Sequence, residues 1–326
     1  MSDILLNPLL LNVLLSVVGF AVLIKCADFF VDGASSFAKN LKISTAVIGL
    51  TIVAFGTSAP ELAISFSSHL TSNTDMLFGN VIGSNIANIL VIFALAIIIK
   101  PFKVRDDVVK KEMPILLLIT LSATILLLDS LFDQANTNAI TRADGIMLLL
   151  LFTVFFYYLF TILSFNTDSG SLDEKPKYKM LMSVFMIVFG LAGIIIGSNL
   201  VVNNLAAFAY GIGISQKIIA VTIISIGTSL PELVTTVVAA KKGENSIAVG
   251  NIVGSNIFNI CVVLALPIVI FGDAATKAFN IIDASFLILS VLLFWMFAAT
   301  GREYKRHEGI IFLAVYSVYI CYILIQ

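Results

Sequence analysis

Gly56-Thr-Ser-Ala-Pro-Glu-Leu62 stands inside an apolar run and returns as Gly227-Thr-Ser-Leu-Pro-Glu-Leu233, identical at six of seven positions and displaced by 171 residues. Gly79-Asn-Val-Ile-Gly-Ser-Asn-Ile-Ala-Asn88 returns as Gly250-Asn-Ile-Val-Gly-Ser-Asn-Ile-Phe-Asn259 at the same displacement, with seven of ten identical. No gap separates the two matches, and the register reaches back to set Asp28 opposite Asn199 and Asp32 opposite Asn203. The simplest origin is duplication of a whole half.

The surroundings of these motifs fix the solvent. Of 326 residues, 59% are hydrophobic and 12% charged, about half the charge of a soluble domain. Apolar runs of about 20 residues, enough to cross a bilayer, recur along the chain. Breaking it at polar clusters gives ten spans, near 8–32, 43–69, 76–99, 113–130, 143–164, 180–205, 214–240, 246–271, 281–299 and 309–325. With the N-terminus outside, fifteen of the nineteen basic residues fall in cytoplasmic loops, so the positive-inside rule sets both termini outside. The first span lacks a positive n-region and a cleavage site and is expected to be retained.

The one long polar stretch, Ser164 to Lys179, has linker composition. It divides the chain into a first repeat (1–165), a linker (166–179) and a second repeat (180–326). Five spans per half make the second half enter the membrane with opposite polarity. The expected fold is an all-α membrane protein of ten transmembrane helices in two inverted five-helix repeats.

A carboxylate in mid-membrane costs at least ~2.5–3.5 kcal/mol on insertion scales, so Glu61 and Glu232 are functional residues by default. Thr57 and Ser58 precede Glu61 by four and three residues, and Thr228 and Ser229 precede Glu232 likewise, so each trio can share one helix side. Pro60 cannot donate to the Gly56 carbonyl, and Pro231 repeats the defect at Gly227, so the second and seventh helices should break and free carbonyls. Ser84 with Asn88, and Ser255 with Asn259, add neutral oxygens at four-residue spacing. Such hard oxygen donors suit Ca²⁺ and Na⁺ and include no soft ligand.

These paired motifs resemble the alpha-repeats of the calcium/cation exchanger superfamily, most closely its prokaryotic sodium/calcium exchanger-like members, which lack a large regulatory loop. The resemblance implies exchange of Na⁺ for Ca²⁺ by alternating access. It makes Glu61 and Glu232 shared Ca²⁺ ligands. It assigns Na⁺ binding to backbone oxygens near Ala54 and Ser225 and to Thr57, Ser58, Ser84, Thr228, Ser229 and Ser255. Some prokaryotic relatives carry Asp where this chain has Asn259, which leaves two site carboxylates. Three Na⁺ for one Ca²⁺, the implied stoichiometry, makes exchange electrogenic, and the missing acid argues against K⁺ co-transport.

Two other functions use the same features. In a Ca²⁺/H⁺ antiporter of this superfamily protons replace Na⁺, and a cation channel would use a continuous filter, against which the inverted repeat argues. A hydrolase needs a nucleophile beside a base, and no such pairing emerges. No basic, aromatic-interleaved surface marks a nucleic-acid partner. The expected partners are Ca²⁺, Na⁺ or H⁺ and the lipid of a prokaryotic cell (inner) membrane, with no resident cofactor and no obligatory protein partner. Structural roles go to Gly79, Gly83, Gly250 and Gly254 as packing glycines and to Asn85 and Asn256 as hydrogen-bonders. Cys26, Cys261 and Cys321 read as small buried hydrophobes. His69 and His307 read as exposed, and Lys25, Asp28 and Asp32 as a local ion-pair group without a transport role.

Overall fold

The computed structural model describes residues 8–132, 137–163, 175–214, 225–276 and 279–325. Residues 166–174 of the expected linker and 215–224 of the expected seventh span lie outside them. The described residues are helical almost throughout. Helix α1 spans Pro8–Leu41, α2 Thr45–Thr57, α3 Ala59–Leu70 and α4 Thr74–Ile99. Helix α5 covers Met113–Leu127, α6 Arg142–Thr161 and α7 Met180–Gly211. Helices α8 (Ser225–Thr228), α9 (Leu230–Lys242) and α10 (Asn245–Phe271) repeat the order of α2, α3 and α4. Helices α11 (Ile281–Gly301) and α12 (Arg306–Ile325) close the chain.

Six of these, α1, α4, α6, α7, α10 and α11, are each long and apolar enough to cross a bilayer, and α2 with α3 makes a seventh bent by 45°. The protein is thus an integral membrane protein. Burial sorts the helices into centre and periphery: 89% of the apolar window of α10 and 67% of that of α4 are buried, against 17% for α1 and 28% for α7. Outward-facing side chains are large and apolar, with Leu181 84% and Tyr157 70% exposed, which hydrocarbon tolerates and water does not.

Helices α1 and α7 run antiparallel against each other. Gly19 meets Val201, Leu23 meets Gly197, Phe30 meets Gly190 and Gly33 meets Met186, so residue numbers rise on one helix as they fall on the other. Small residues allow this close approach where no hydrophobic force drives helices together in lipid. Both helices outrun the spans read from sequence, 8–32 and 180–205. The extension explains a correction: Asp32 lies inside α1 and pairs with Lys242 at the end of α9 and Lys177 ahead of α7, at 2.5 and 2.8 Å, while Asp28 is 2.9 Å from Lys242. Lys25 is exposed and is not the partner expected for these acids.

Two short strand pairs join the halves. Strand β1 (Phe102–Lys103) pairs antiparallel with β4 (Glu303–Tyr304), and β2 (Asn138–Ile140) pairs antiparallel with β3 (Ala274–Thr276). Of the cysteines, Cys261 is buried, Cys26 is half-buried against α7, and Cys321 is exposed. That last placement corrects the buried reading, because an apolar helix in lipid turns hydrophobes outward as well as inward. His69 is half-buried rather than exposed, 5.6 Å from the Phe271 ring, whereas His307 is exposed as expected.

Candidate ion site at the broken helices

The helix breaks fall at Ser58 and Ser229, whose backbones match closely (φ −84°, ψ 8° and φ −90°, ψ 7°). Pro60 and Pro231 sit in the first turn of α3 and α9, where a missing N–H is tolerated because that donor has no helical acceptor. The motif therefore ends one helix and starts another within the membrane. It also puts Glu61 and Glu232 in the first turn, where the positive end of the helix dipole favours an anion.

The carboxylates are served from the opposite half. Ser58 Oγ donates to Glu232 Oε1 at 2.9 Å, and Ser229 Oγ lies 3.4 Å from Glu61 Oε1. This corrects the expectation that each Thr-Ser-Glu trio forms its own oxygen cluster. The bend at each serine swings its hydroxyl across the interface, so both clusters are composite. Glu61 is 1% and Glu232 0% exposed, and Oε2 of each has no partner among the described residues. A buried carboxylate oxygen without a donor is costly, and a cation bound there would supply what is missing.

A second set of oxygens gathers around the end of α2. Ala54 O accepts from Ser58 N at 3.0 Å and Thr57 Oγ1 at 3.2 Å, and Ser255 Oγ of α10 lies 3.4 Å away. Thr57 Oγ1 also lies 3.1 Å from Asn251 Oδ1, and its single proton serves one of the two oxygens. Carbonyl and hydroxyls from both halves thus converge on one spot. Ser84 is buried on α4 and Thr228 half-buried at the end of α8. Ser225 opens α8, and its side chain lies outside the described residues.

The asparagines fill the space between α4 and α10. Asn88 Nδ2 donates to Asn256 Oδ1 at 3.0 Å, and Asn256 Nδ2 lies 3.4 Å from Asn85 O. Asn88 Oδ1 and both polar atoms of Asn259 are buried without partners among the described residues, and of these the two oxygens are of the type a hard cation takes. Each opens a π-helical segment, Asn88–Phe93 or Asn259–Leu264, a local widening common at functional sites. Asn256 is the hydrogen-bonder expected. Asn85 is not: both its side-chain polar atoms are unpartnered among the described residues.

The packing glycines divide by half. A Cβ on Gly250 would lie 3.0 Å from Ala46 O, and one on Gly254 2.6 Å from Leu50 O, so these two seat α10 against α2. Gly79 is exposed and Gly83 half-buried, with no described atom within 4 Å of a Cβ on either. Among the described residues no packing partner supports the expected role of these two, and the positions equivalent to the neighbours of Gly250 and Gly254, 217–224, lie outside the described residues.

Sequence reasoning passed over Asn80 and Asn251. Asn80 Nδ2 donates to Glu61 O at 3.0 Å and Ser65 Oγ at 3.1 Å. Asn251 Nδ2 donates to Thr236 Oγ1 at 2.9 Å, with Glu232 O 3.5 Å away. They approach the two glutamate turns from equivalent positions, and their recurrence in both copies of the longer motif was the available signal. Glu112 was also missed; it is fully buried and accepts from Tyr158 at 2.7 Å, joining the start of α5 to α6. Among the described residues no three His, Cys, Asp or Glu side chains gather as a metal centre. A cation here would rest on two carboxylates and neutral oxygens.

Two buried carboxylates, each completed from the other half at a broken intramembrane helix, define a membrane transporter that handles cations. The chain belongs to the sodium/calcium exchanger protein family, whose model matches residues 11–161 and 182–325; this is a family of transporters, not of enzymes. It is 38% identical over 315 residues to CaxA of Alkalimonas amylolytica, covering 93% of this chain and 95% of that one. It is 34% identical over 322 residues to the inner membrane protein YrbG of Escherichia coli, covering 96% of each. A solved structure of the sodium-calcium exchanger NCX_Mj matches with a TM-score of 0.83 at 30% identity, over 96% of this chain and 99% of that chain. The family resemblance carried by the repeated motifs is thereby borne out.

Proposed function

We propose that this protein exchanges Na⁺ for Ca²⁺ by alternating access, with Glu61 and Glu232 as shared Ca²⁺ ligands. The observation that carries the reading is the reciprocal pairing across the halves: each glutamate has one oxygen beside the other half's serine and the other unpartnered among the described residues. Ca²⁺ neutralises the two carboxylates. Ala54 O, Thr57, Ser58, Ser84, Thr228, Ser229, Ser255 and the backbone near Ser225 bind Na⁺, and the amide oxygens of Asn88 and Asn259 complete the cage.

The architecture that supports this is ten spans in two inverted repeats, 1–165 and 180–326, joined by a linker over 166–179. The antiparallel α1 and α7, which hold equivalent places in the two halves, support the inversion. Both termini lie outside a prokaryotic inner membrane. With three Na⁺ opposing one Ca²⁺, each cycle moves one net charge, and no K⁺ is needed because Asn259 adds no third carboxylate.

Purified protein in Na⁺-loaded vesicles should take up ⁴⁵Ca²⁺ without a pH gradient, and Glu61→Gln and Glu232→Gln should each abolish uptake. Removing either acid leaves a divalent ion with one compensating charge in a low-dielectric site. Uptake driven by a proton gradient but not by Na⁺ would replace Na⁺ with H⁺ as counter-ion. Wild-type uptake by either variant would remove the glutamates from the site.

A further inference from the structure

The two halves share a sequence pattern but not a conformation. Ser58 lies 2.9 Å from Glu232, but its counterpart Ser229 lies 3.4 Å from Glu61. Gly250 is buried against α2, whereas Gly79 is exposed. Ala59 is exposed just beyond one break, whereas Leu230, 171 residues on, is 8% exposed beyond the other. In an inverted-repeat transporter the opposite orientation has the two halves trade conformations, so each asymmetric contact names its replacement.

Applied to the asparagines, the exchange gives a specific result. The present bonds are Asn88 Nδ2 to Asn256 Oδ1 and Asn256 Nδ2 to Asn85 O. Shifted by 171 residues, they become Asn259 Nδ2 to Asn85 Oδ1 and Asn85 Nδ2 to Asn256 O. The three side-chain atoms these new bonds require, Asn259 Nδ2, Asn85 Oδ1 and Asn85 Nδ2, are all buried and unpartnered among the described residues. The four side chains are at most 1% exposed, so bulk water does not satisfy them. Asn88 Oδ1, unpartnered here, gains no partner in the exchanged set, and Asn259 Oδ1 stays equally available. The bonds change while both amide oxygens remain open to an ion.

We propose that Asn85, Asn88, Asn256 and Asn259 form a two-position hydrogen-bond switch that trades partners as the site turns from one membrane face to the other. Asn85 and Asn256 are its positioning residues: they contribute no ligand, and they set the relative populations of the two orientations. The proposal rests on the antiporter reading above and deepens it. Its test is a sign. Asn85→Ala removes only the second pair of bonds, because Asn256 still reaches the Asn85 backbone carbonyl, and so favours the present orientation. Asn256→Ala removes only the first pair and favours the other.

Single reporters Ala59→Cys and Leu230→Cys, in full-length protein with Cys26, Cys261 and Cys321 replaced by alanine, are alkylated in vesicles with a small polar thiol reagent. The ratio of the two rates reads orientation. Each variant removes two buried hydrogen bonds from one state, so the ratio should move on the order of tenfold, upward for Asn85→Ala and downward for Asn256→Ala. Asn85→Ser and Asn256→Ser shift the ratio in the same opposite senses and serve if an alanine variant does not fold. Movement in one common direction, or an unmoved ratio in folded protein, overturns the switch, since a merely structural role gives no opposed pair. Na⁺-driven ⁴⁵Ca²⁺ uptake is measured in parallel on the reporter proteins. Uptake with an unmoved ratio defeats the switch alone, and absent uptake with an opposed ratio defeats the Na⁺/Ca²⁺ reading alone.

Discussion

Gly254→Ala and Gly83→Ala make the same change at the same motif position in the two halves, and the structure assigns them opposite signs. A Cβ on Gly254 would lie 2.6 Å from Leu50 O and 2.7 Å from Ala54 Cβ, so α10 and α2 must part by roughly 0.8 Å to regain an ordinary 3.4 Å contact. The first of these neighbours is backbone and cannot rotate away. Overpacking of this kind costs about 1–3 kcal/mol, only partly offset by the ~0.5–1 kcal/mol that alanine gains over glycine within a helix. At Gly83 no described atom lies within 4 Å, so among the described residues nothing opposes the helix term and the variant should be neutral or slightly stabilised. The displaced residues include Ala54, whose carbonyl lies beside Thr57 and Ser255. Gly254→Ala should therefore also raise the Na⁺ concentration for half-maximal exchange. Thermal unfolding in detergent with vesicle flux measures both effects. Equal destabilisation of the two variants, or a tolerated Gly254→Ala, would refute the packing argument.

Ca²⁺ flux at clamped potentials should follow voltage, since one net charge per cycle is worth about 2.3 kcal/mol per 100 mV; a flux indifferent to voltage removes the three-for-one scheme, and an absolute K⁺ requirement adds an acid to the site. Asn251→Ala should destabilise the protein by about 1–3 kcal/mol in thermal unfolding, because Thr57 and Thr236 both lose a buried partner. Asn80→Ala, at a half-buried residue, should cost less. Burial pushes the Asp107 carboxyl up, but Arg105, at 2.7 and 3.0 Å, and the Val108 amide outweigh it and hold the group below the usual carboxylate range. Its contribution is therefore full above the ordinary pKa of about 4 and lost as pH falls below that. Unfolding of Asp107→Asn against wild type should converge in acid and diverge toward neutrality.

The duplicated motifs made most of the site legible, because a buried charge and a helix-breaking proline each have few physical explanations in a membrane. Glu61, Glu232 and the two breaks were readable for that reason. The pairing of Ser58 with Glu232 was not, since a one-dimensional repeat does not say whether a hydroxyl serves its own copy or the other. Equally hidden was the asymmetry of Gly79 and Gly250, identical in sequence and opposite in burial. The ion partners of Asp32 escaped because hydropathy ends the first span where charge begins, while the helix continues to Leu41. Asn80 and Asn251 were visible as repeated letters, but their job is backbone support, which neither spacing nor charge announces.

The reciprocal pairing has a consequence for how the molecule is made. Glu61 reaches the membrane 168 residues before Ser229, and β2 is synthesised well before its partner β3. At translation rates of about 5–20 residues per second, the first carboxylate waits on the order of ten seconds in a half-built bundle before its serine arrives. Throughout that interval the nascent chain carries an incomplete polar centre in lipid. Insertion must therefore shelter the early half until the late half closes over it.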